Sequence, residues 1–226
     1  MTATTSDTLL RVLSTRGDST VSGRGVQIAS VLFVAALTSA AAQISIPLPF
    51  TAVPLTLQPM IVLVGALALG SRLGAASQIL YLAAGIVGLP VFAASATLPP
   101  GALRLLGPTG GYLMAYPVAA FVAGYLAERG FARRYFTSVI AMFAGLAIIF
   151  ASGVLWLALF ARTLTGNEPV GLQSALATGL YPFILPDLVK LAVAAGLVPA
   201  LWRLIGRADA ARADARRESD ESSAIR

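Results

Sequence analysis

The sequence predicts an all-α membrane protein: six transmembrane helices joined by irregular Pro/Gly-rich outer loops. Three observations carry that prediction. Of 226 residues, 57% are hydrophobic and only 12% charged, and the mean hydropathy is +0.82, whereas soluble domains carry about a quarter charged residues. Six apolar stretches recur along the chain between polar or Pro/Gly-rich breaks. The arginines collect on one side of the resulting topology.

In chain order, residues 1–25 are polar, mixed in sign and rich in Ser, Thr and Gly, as expected of a cytoplasmic leader. Arg11, Arg16 and Arg24 followed by an apolar run and Ala40-Ala41-Ala42 also fit a signal peptide; the length of the leader and the further spans behind it favour a first membrane helix. The membrane domain then occupies residues 26–205. Its spans lie near residues 26–44, 57–69, 73–92, 111–127, 136–160 and 183–205. The second is shorter than the roughly 17–25 residues of a full crossing, so it is expected to borrow part of the loop before it. Residues 172–180 read as a short amphipathic piece leading into the last helix. Residues 206–226 alternate in charge with almost no apolar content and read as a cytosolic tail.

Six spans put both termini on one side. That side holds thirteen arginines: Arg11, Arg16, Arg24, Arg72, Arg129, Arg133, Arg134, Arg203, Arg207, Arg212, Arg216, Arg217 and Arg226. The other side holds Arg104 and Arg162, and Lys190 lies inside the sixth span. By the positive-inside rule the termini are cytoplasmic. The net charge of +6 does not point to nucleic acid, because the arginines flank apolar runs instead of forming one basic stripe. The chain has no Cys and no His. Disulfides, Ser-His-Asp and Cys-His catalysis, and His- or Cys-built metal sites are therefore excluded.

Three segments depart from plain spans. In Ile46-Pro-Leu-Pro-Phe-Thr-Ala-Val-Pro-Leu-Thr-Leu-Gln-Pro59, prolines 47, 49, 54 and 59 prevent a regular helix. The segment is nevertheless apolar, and irregular apolar backbone sits at membrane depth only where protein buries it or a cavity is lined by it. Two compatible readings stand: a loop capping the bundle, or a cavity wall into which Thr56 and Gln58 point. The second segment is Gly88-Leu-Pro-Val-Phe92, followed after small residues by Arg104-Leu-Leu-Gly-Pro-Thr-Gly-Gly-Tyr112. Gly110 and Gly111 open a helix whose first N–H groups suit an anionic or carbonyl oxygen, and Arg104 is close by. The same residues also read as a turn with Thr109 as a helix cap. They are not a P-loop, because the Lys-Ser/Thr ending is missing.

The third segment is Tyr181-Pro-Phe-Ile-Leu-Pro-Asp187-Leu-Val-Lys190. Asp187 and Lys190 share a helix face and are the one acid and one amine well inside any apolar span. Each costs about 2.5–3.5 kcal/mol at a helix centre, so they form either a self-neutralising pair or part of a polar pocket facing the bundle. One amine, one carboxylate, an Arg, amides and glycine N–H groups suit a small neutral-to-anionic ligand. A single intramembrane carboxylate excludes an aspartyl-type intramembrane protease, and no Walker motif is present to power transport by this chain alone.

Gln43-Ile-Ser-Ile-Pro-Leu-Pro-Phe50, Val53-Pro-Leu-Thr-Leu-Gln58, Gly88-Leu-Pro-Val-Phe92, Gly107-Pro-Thr-Gly-Gly-Tyr-Leu113 and Asp187-Leu-Val-Lys190 occur in that order. Together they resemble the BioY family, the biotin-specific substrate-binding (S) components of energy-coupling factor (ECF) transporters. The resemblance implies a six-helix protein of a prokaryotic plasma membrane that captures biotin from the outer side. It is not an enzyme and needs no cofactor. A transmembrane coupling (T) component and two cytosolic ATPases supply the energy, with ATP used only by those partners. The family's Asp and Lys in the last helix match Asp187 and Lys190, and its Gly-rich motif sets Gly110, Gly111 and Tyr112 against the ligand. Arg104, Gln58 and Tyr81 are further ligand candidates, Tyr81 also reading as an ordinary interfacial aromatic. In the first span Ala36 and Ala40 form one small-xxx-small pair, beside Ala35/Ser39 and Thr38/Ala42. Such a stripe either packs within its own bundle or, as the resemblance implies, docks on the T component. The competing function is a stand-alone secondary carrier or facilitator for a small organic acid; it predicts inverted repeats and a coupling-ion site, and no repeat is visible.

Overall fold

The computed structural model describes residue 8 and residues 23–94, 101–160 and 170–204. The leader 1–25 lies almost wholly, and the tail 206–226 entirely, outside the described residues, as do Arg11, Arg16, Arg162 and the arginines from Arg207 onward. The first helix, α1 (Gly23–Gln43), starts three residues ahead of the expected span. It turns Val34, Ala35, Thr38, Ala41 and Ala42 inward and leaves Ile28, Leu32, Phe33 and Leu37 exposed. Exposed apolar side chains of this size on a helix mark a lipid-facing surface.

After α1 the proline-rich segment forms a small antiparallel ribbon, β1 (Ser45–Ile46) with β2 (Leu55–Thr56), in the register Ser45↔Thr56 and Ile46↔Leu55. Proline at 47 and 54 brackets the paired residues and withholds the donors that would extend the ladder. Helix α2 (Gln58–Leu69) starts with Pro59 in its first turn, where a missing N–H costs nothing. It stops at Gly70, whose φ of +88° is a left-handed value that favours glycine. Helix α3 (Ser71–Ile86) follows at once. Its N-terminus is held from another element: the Glu128 carboxylate accepts the Ser71 N–H at 2.8 Å and the Ser71 hydroxyl at 2.9 Å. Such an acceptor satisfies orphan donors and complements the helix dipole.

A short turn, α4 (Leu103–Leu106), precedes α5 (Gly110–Glu128), a 3₁₀ turn (Phe131–Arg133) and α6 (Tyr135–Leu159). Then α7 (Leu172–Gly179) leads into α8 (Tyr181–Ala194), and the chain is helical again over residues 197–204. The central helix is α5, which packs on α2, α3 and α6. Its contact with α6 is close because small residues line it: a Cβ at Gly145 would lie 3.1 Å from the Ala119 carbonyl oxygen. Between α1 and α3 a polar cluster replaces apolar packing, Gln78 Nε2 donating to Thr38 Oγ1 at 3.3 Å and to Ser77 Oγ at 3.1 Å. Polar side chains of this kind tie membrane helices where lipid supplies no hydrophobic drive.

The chain is thus mostly helical, and among the described residues four helices are long and apolar enough to cross a membrane: Gly23–Gln43, Gly110–Glu128, Tyr135–Leu159 and Tyr181–Leu204. Of the six expected spans the second is short as expected, and the third, placed near residues 73–92, is short as well. With 12 and 16 residues, α2 and α3 fall short of the roughly 17–25 of a full crossing. The physical reason lies at their ends. Gly70 breaks the chain between them, the loop ahead of α2 is ribbon instead of borrowed helix, and Gly88 (φ +103°) with Pro90 ends α3 before residue 92.

Candidate binding site

Asp187 and Lys190 lie one turn apart on α8 and form an ion pair, their side chains 7% and 16% exposed. Pro186 directly ahead of Asp187 is inside the helix and can donate no backbone bond there. Lys190 reaches beyond its own helix, Nζ donating to the Thr56 carbonyl oxygen of β2 at 2.7 Å. The ammonium therefore ties the last helix to the proline-rich segment. Asp187 Oδ1 is buried and in contact with the Lys190 ammonium, its charge partner among the described residues. A buried carboxylate with remaining acceptor capacity is costly unless something else uses it.

The pair faces a narrow cleft of about 10 Å³, room for about one water, lined by Pro59, Met60, Leu63, Met142, Leu146, Asp187, Lys190 and Leu191. Apolar walls with two convergent polar groups are the usual make-up of a small-molecule site; occupied sites span about 300–1,000 Å³, so a bound ligand requires the walls of this cleft to part. Met60 and Met142 are the unbranched, adaptable side chains of the wall. Thr56 Oγ1 accepts the Gln58 N–H at 3.3 Å, and Gln58 Nε2 meets Tyr81 Oη at 2.6 Å. Gln58 and Tyr81 are buried, so this contact binds α2 to α3 beside the ribbon. Tyr81 is a core residue here, not an interfacial one. Its ring stands 5.5 Å from that of Phe92 at an edge-on 81°, and 6.3 Å from that of Tyr116. Tyr116, which the sequence did not single out, is itself buried.

The remaining candidates lie elsewhere. Gly110 donates its N–H to the Gly107 carbonyl oxygen at 3.0 Å, and Thr109 makes no side-chain capping bond. Gly111 is pressed against α6: a Cβ there would sit 2.7 Å from the Ser152 carbonyl oxygen and overlap Trp156. Two α6 side chains complete the joint, Ser152 Oγ donating to the Gly111 oxygen at 2.8 Å and Trp156 Nε1 to the Gly107 oxygen at 2.9 Å. Tyr112 lays its ring over Gly153 and donates its hydroxyl to the Gly179 oxygen at 2.7 Å. Gly110, Gly111 and Tyr112 thus close the contacts among α5, α6 and α7 and do not line the cleft. Arg104, buried on α4, donates to the Ala93 oxygen at 2.7 Å, and burial lowers the pKa of its guanidinium. Ala36 and Ala40 are both exposed on the outward face of α1, whereas Ala35, Thr38 and Ala42 face the bundle.

Residues 15–207 match the model of the BioY family. A protein of Pyrococcus horikoshii described as a probable biotin transporter BioY is 42% identical over 168 residues, covering 74% of this chain and 91% of that protein. The biotin transporter BioY of Thermotoga maritima is 40% identical over 171 residues, covering 75% and 91%. Among solved structures, the crystal structure of the S-component for biotin from an ECF-type ABC transporter superposes with a TM-score of 0.68 at 25% identity, over 82% of this chain and 95% of that one. With the family match spanning nearly all of the described residues, this chain belongs to the BioY family.

Proposed function

We propose that this chain captures biotin from the outer side of a prokaryotic plasma membrane and passes it inward as the S component of an ECF-type importer. Its relatives are biotin transporters, and its fold matches a biotin S-component. No bond is made or broken in such a step, so this is binding and translocation, not catalysis. The observation that carries the reading is the buried Asp187–Lys190 pair at the apolar cleft, with Lys190 tied to Thr56. The ring system and aliphatic tail of biotin suit Met, Leu and Pro walls, a ureido N–H suits the remaining acceptor capacity of the Asp187 carboxylate, and the tail carboxylate suits a cation. Gln58 and Tyr81 form the polar wall next to Thr56. Gly110, Gly111 and Tyr112 hold the outer ends of α5 and α6, and Arg104 is the described outer-side cation assigned to the far end of the ligand.

In this reading α2 and α3 complete six membrane-embedded helices as two short members of the bundle, with both termini in the cytoplasm. The arginine distribution supports that orientation. The T component docks on α1 through Ala36 and Ala40, whose exposure fits close helix approach, and two ATPases complete the importer. Uptake of labelled biotin by cells expressing this chain with and without a T component and ATPases tests the proposal. ATP-dependent accumulation only with the partners supports it; equal accumulation by this chain alone would instead make it a stand-alone carrier.

A further inference from the structure

Both faces of α1 are apolar: Val34, Ala35, Ala41 and Ala42 turn inward, and Ile28, Leu32, Phe33 and Leu37 turn outward. In lipid no hydrophobic force chooses between such faces, so something else must fix how the helix is rotated about its axis. Shape contributes where Val34 packs on Gly65 of α2, a Cβ there lying 2.6 Å from Val34 Cγ1. Among the described residues α1 makes side-chain hydrogen bonds to the rest of the chain at two points. At its exposed outer end Gln43 Nε2 donates to the Pro90 oxygen at 3.2 Å and the Phe92 oxygen at 3.5 Å. In the interior Thr38 Oγ1 accepts Gln78 Nε2 of α3 at 3.3 Å, both residues being fully buried. Ser30 and Ser39 donate to carbonyl oxygens of α1 itself. Thr38 stands at the middle of the inward face, and Ala36 and Ala40, about 160–200° round the helix from it, are exposed.

The Gln78 amide holds the two helices at a cost. Its Oε1 is buried and meets no donor among the described residues, and a buried acceptor left unpaired lowers stability. The hydroxyls beside it do not depend on it, since Thr38 and Ser77 donate to the Val34 and Gly74 oxygens at 2.9 and 2.7 Å. A leucine at 78 would therefore strand no polar group. A buried polar side chain that weakens the fold can still fix the register of one helix on another. We propose that the Gln78–Thr38 contact sets the rotation of α1 and so holds Ala36 and Ala40 outward, with Gln78 as a positioning residue for that face. The rotational setting stands on these contacts alone; its consequence for assembly rests on the docking of the T component proposed above.

The chain has no cysteine, so Ala36→Cys and Ser39→Cys can each carry one nitroxide in the full chain in phosphatidylcholine bilayers. Ala36 is exposed and Ser39 half-buried, and oxygen dissolved in the lipid should reach the label at 36 more readily than the label at 39. Gln78→Leu should shift the balance between the outward and other settings about threefold, the equivalent of the roughly 0.6 kcal/mol of an average interhelical hydrogen bond in a membrane. The two accessibilities should then converge, while biotin binding is unchanged and the unfolding temperature is no lower than the parent's. Thr38→Val should move the labels in the same way, and Thr38→Ser, which keeps the acceptor, should not. Gln43→Ala should leave the difference near the parent value. An unchanged difference in Gln78→Leu, or an equal loss in Gln43→Ala, would overturn the proposal. So would a Gln78→Leu chain whose stability falls along with the difference, because the contact would then be ordinary packing. Co-purification with the T component reads the docking face separately: if the labels converge and co-purification persists, the rotational setting stands and the T component docks elsewhere.

Discussion

Replacing Lys190 by Met, Asp187 by Asn, and then both, separates what the buried pair does for the fold from what it does for the ligand. Lys190 has two partners, the Asp187 carboxylate and the Thr56 oxygen, and the surroundings are Met60, Leu63, Met142 and Leu191. Lys190→Met leaves a carboxylate that is 7% exposed without its counter-charge, a loss of about 3–5 kcal/mol. Asp187→Asn costs less, because the ammonium keeps Thr56 and is the more exposed partner. The double variant carries no buried charge, and exchanging a buried pair for neutral groups is often close to neutral. Most of the stability should therefore return, giving a coupling of about 2–3 kcal/mol between the sites. Biotin binding should not return. A charge-assisted hydrogen bond contributes about 1.5–3 kcal/mol, so each single variant should bind roughly 10- to 150-fold more weakly, and the double at least as weakly. Thermal unfolding and biotin titration of purified protein in one detergent read both quantities. A double variant that binds biotin like the parent would refute the placement of the ligand at this pair. Strictly additive stability losses would refute the ion pair.

Gly111→Ala should cost about 1–3 kcal/mol by overpacking, since its Cβ would lie 2.7 Å from the Ser152 oxygen; an unchanged unfolding temperature would show that α5 and α6 can part freely. Tyr81→Phe removes the partner of the buried Gln58 amide and should cost about 1–3 kcal/mol, much of which Gln58→Leu in the same chain should restore; a double variant as unstable as the sum of the two would contradict the contact. Ala36→Trp and Ala40→Trp, both on the exposed face of α1, should leave biotin binding by the isolated chain intact. They should abolish co-purification with the T component and ATP-dependent uptake, and loss of biotin binding instead would mean that this face packs inward.

Much of the fold is legible in the sequence, because lipid demands long apolar helices with paired backbone and confines arginine to their ends. The helices at Gly110–Glu128 and Tyr135–Leu159 lie within one or two residues of the apolar runs, and the short piece ahead of the last helix is Leu172–Gly179. The β1–β2 ribbon was hidden because its two-residue strands sit among prolines, which signal irregularity without saying what pairs with what. The Asp187–Lys190 pair is local and could be read from spacing alone. Its tie to Thr56 spans 134 residues and depends on how the bundle closes. Gly110 and Gly111 show why a motif underdetermines a role. A glycine without a Cβ admits a ligand or a neighbouring helix equally well, and here Trp156 and Ser152 of α6 occupy that space. Tyr116 gave no signal of its own, since one aromatic in an apolar helix looks like lipid-facing or core material until its neighbours are known.

Isothermal titration of the purified full chain with biotin, in the absence of any partner protein, tests the central claim most directly. Saturable binding at one biotin per chain, strongly weakened by Asp187→Asn in protein that elutes as a single species, is the predicted result. A well-folded parent chain that takes up no biotin, or an Asp187→Asn variant that binds it as the parent does, would contradict the account.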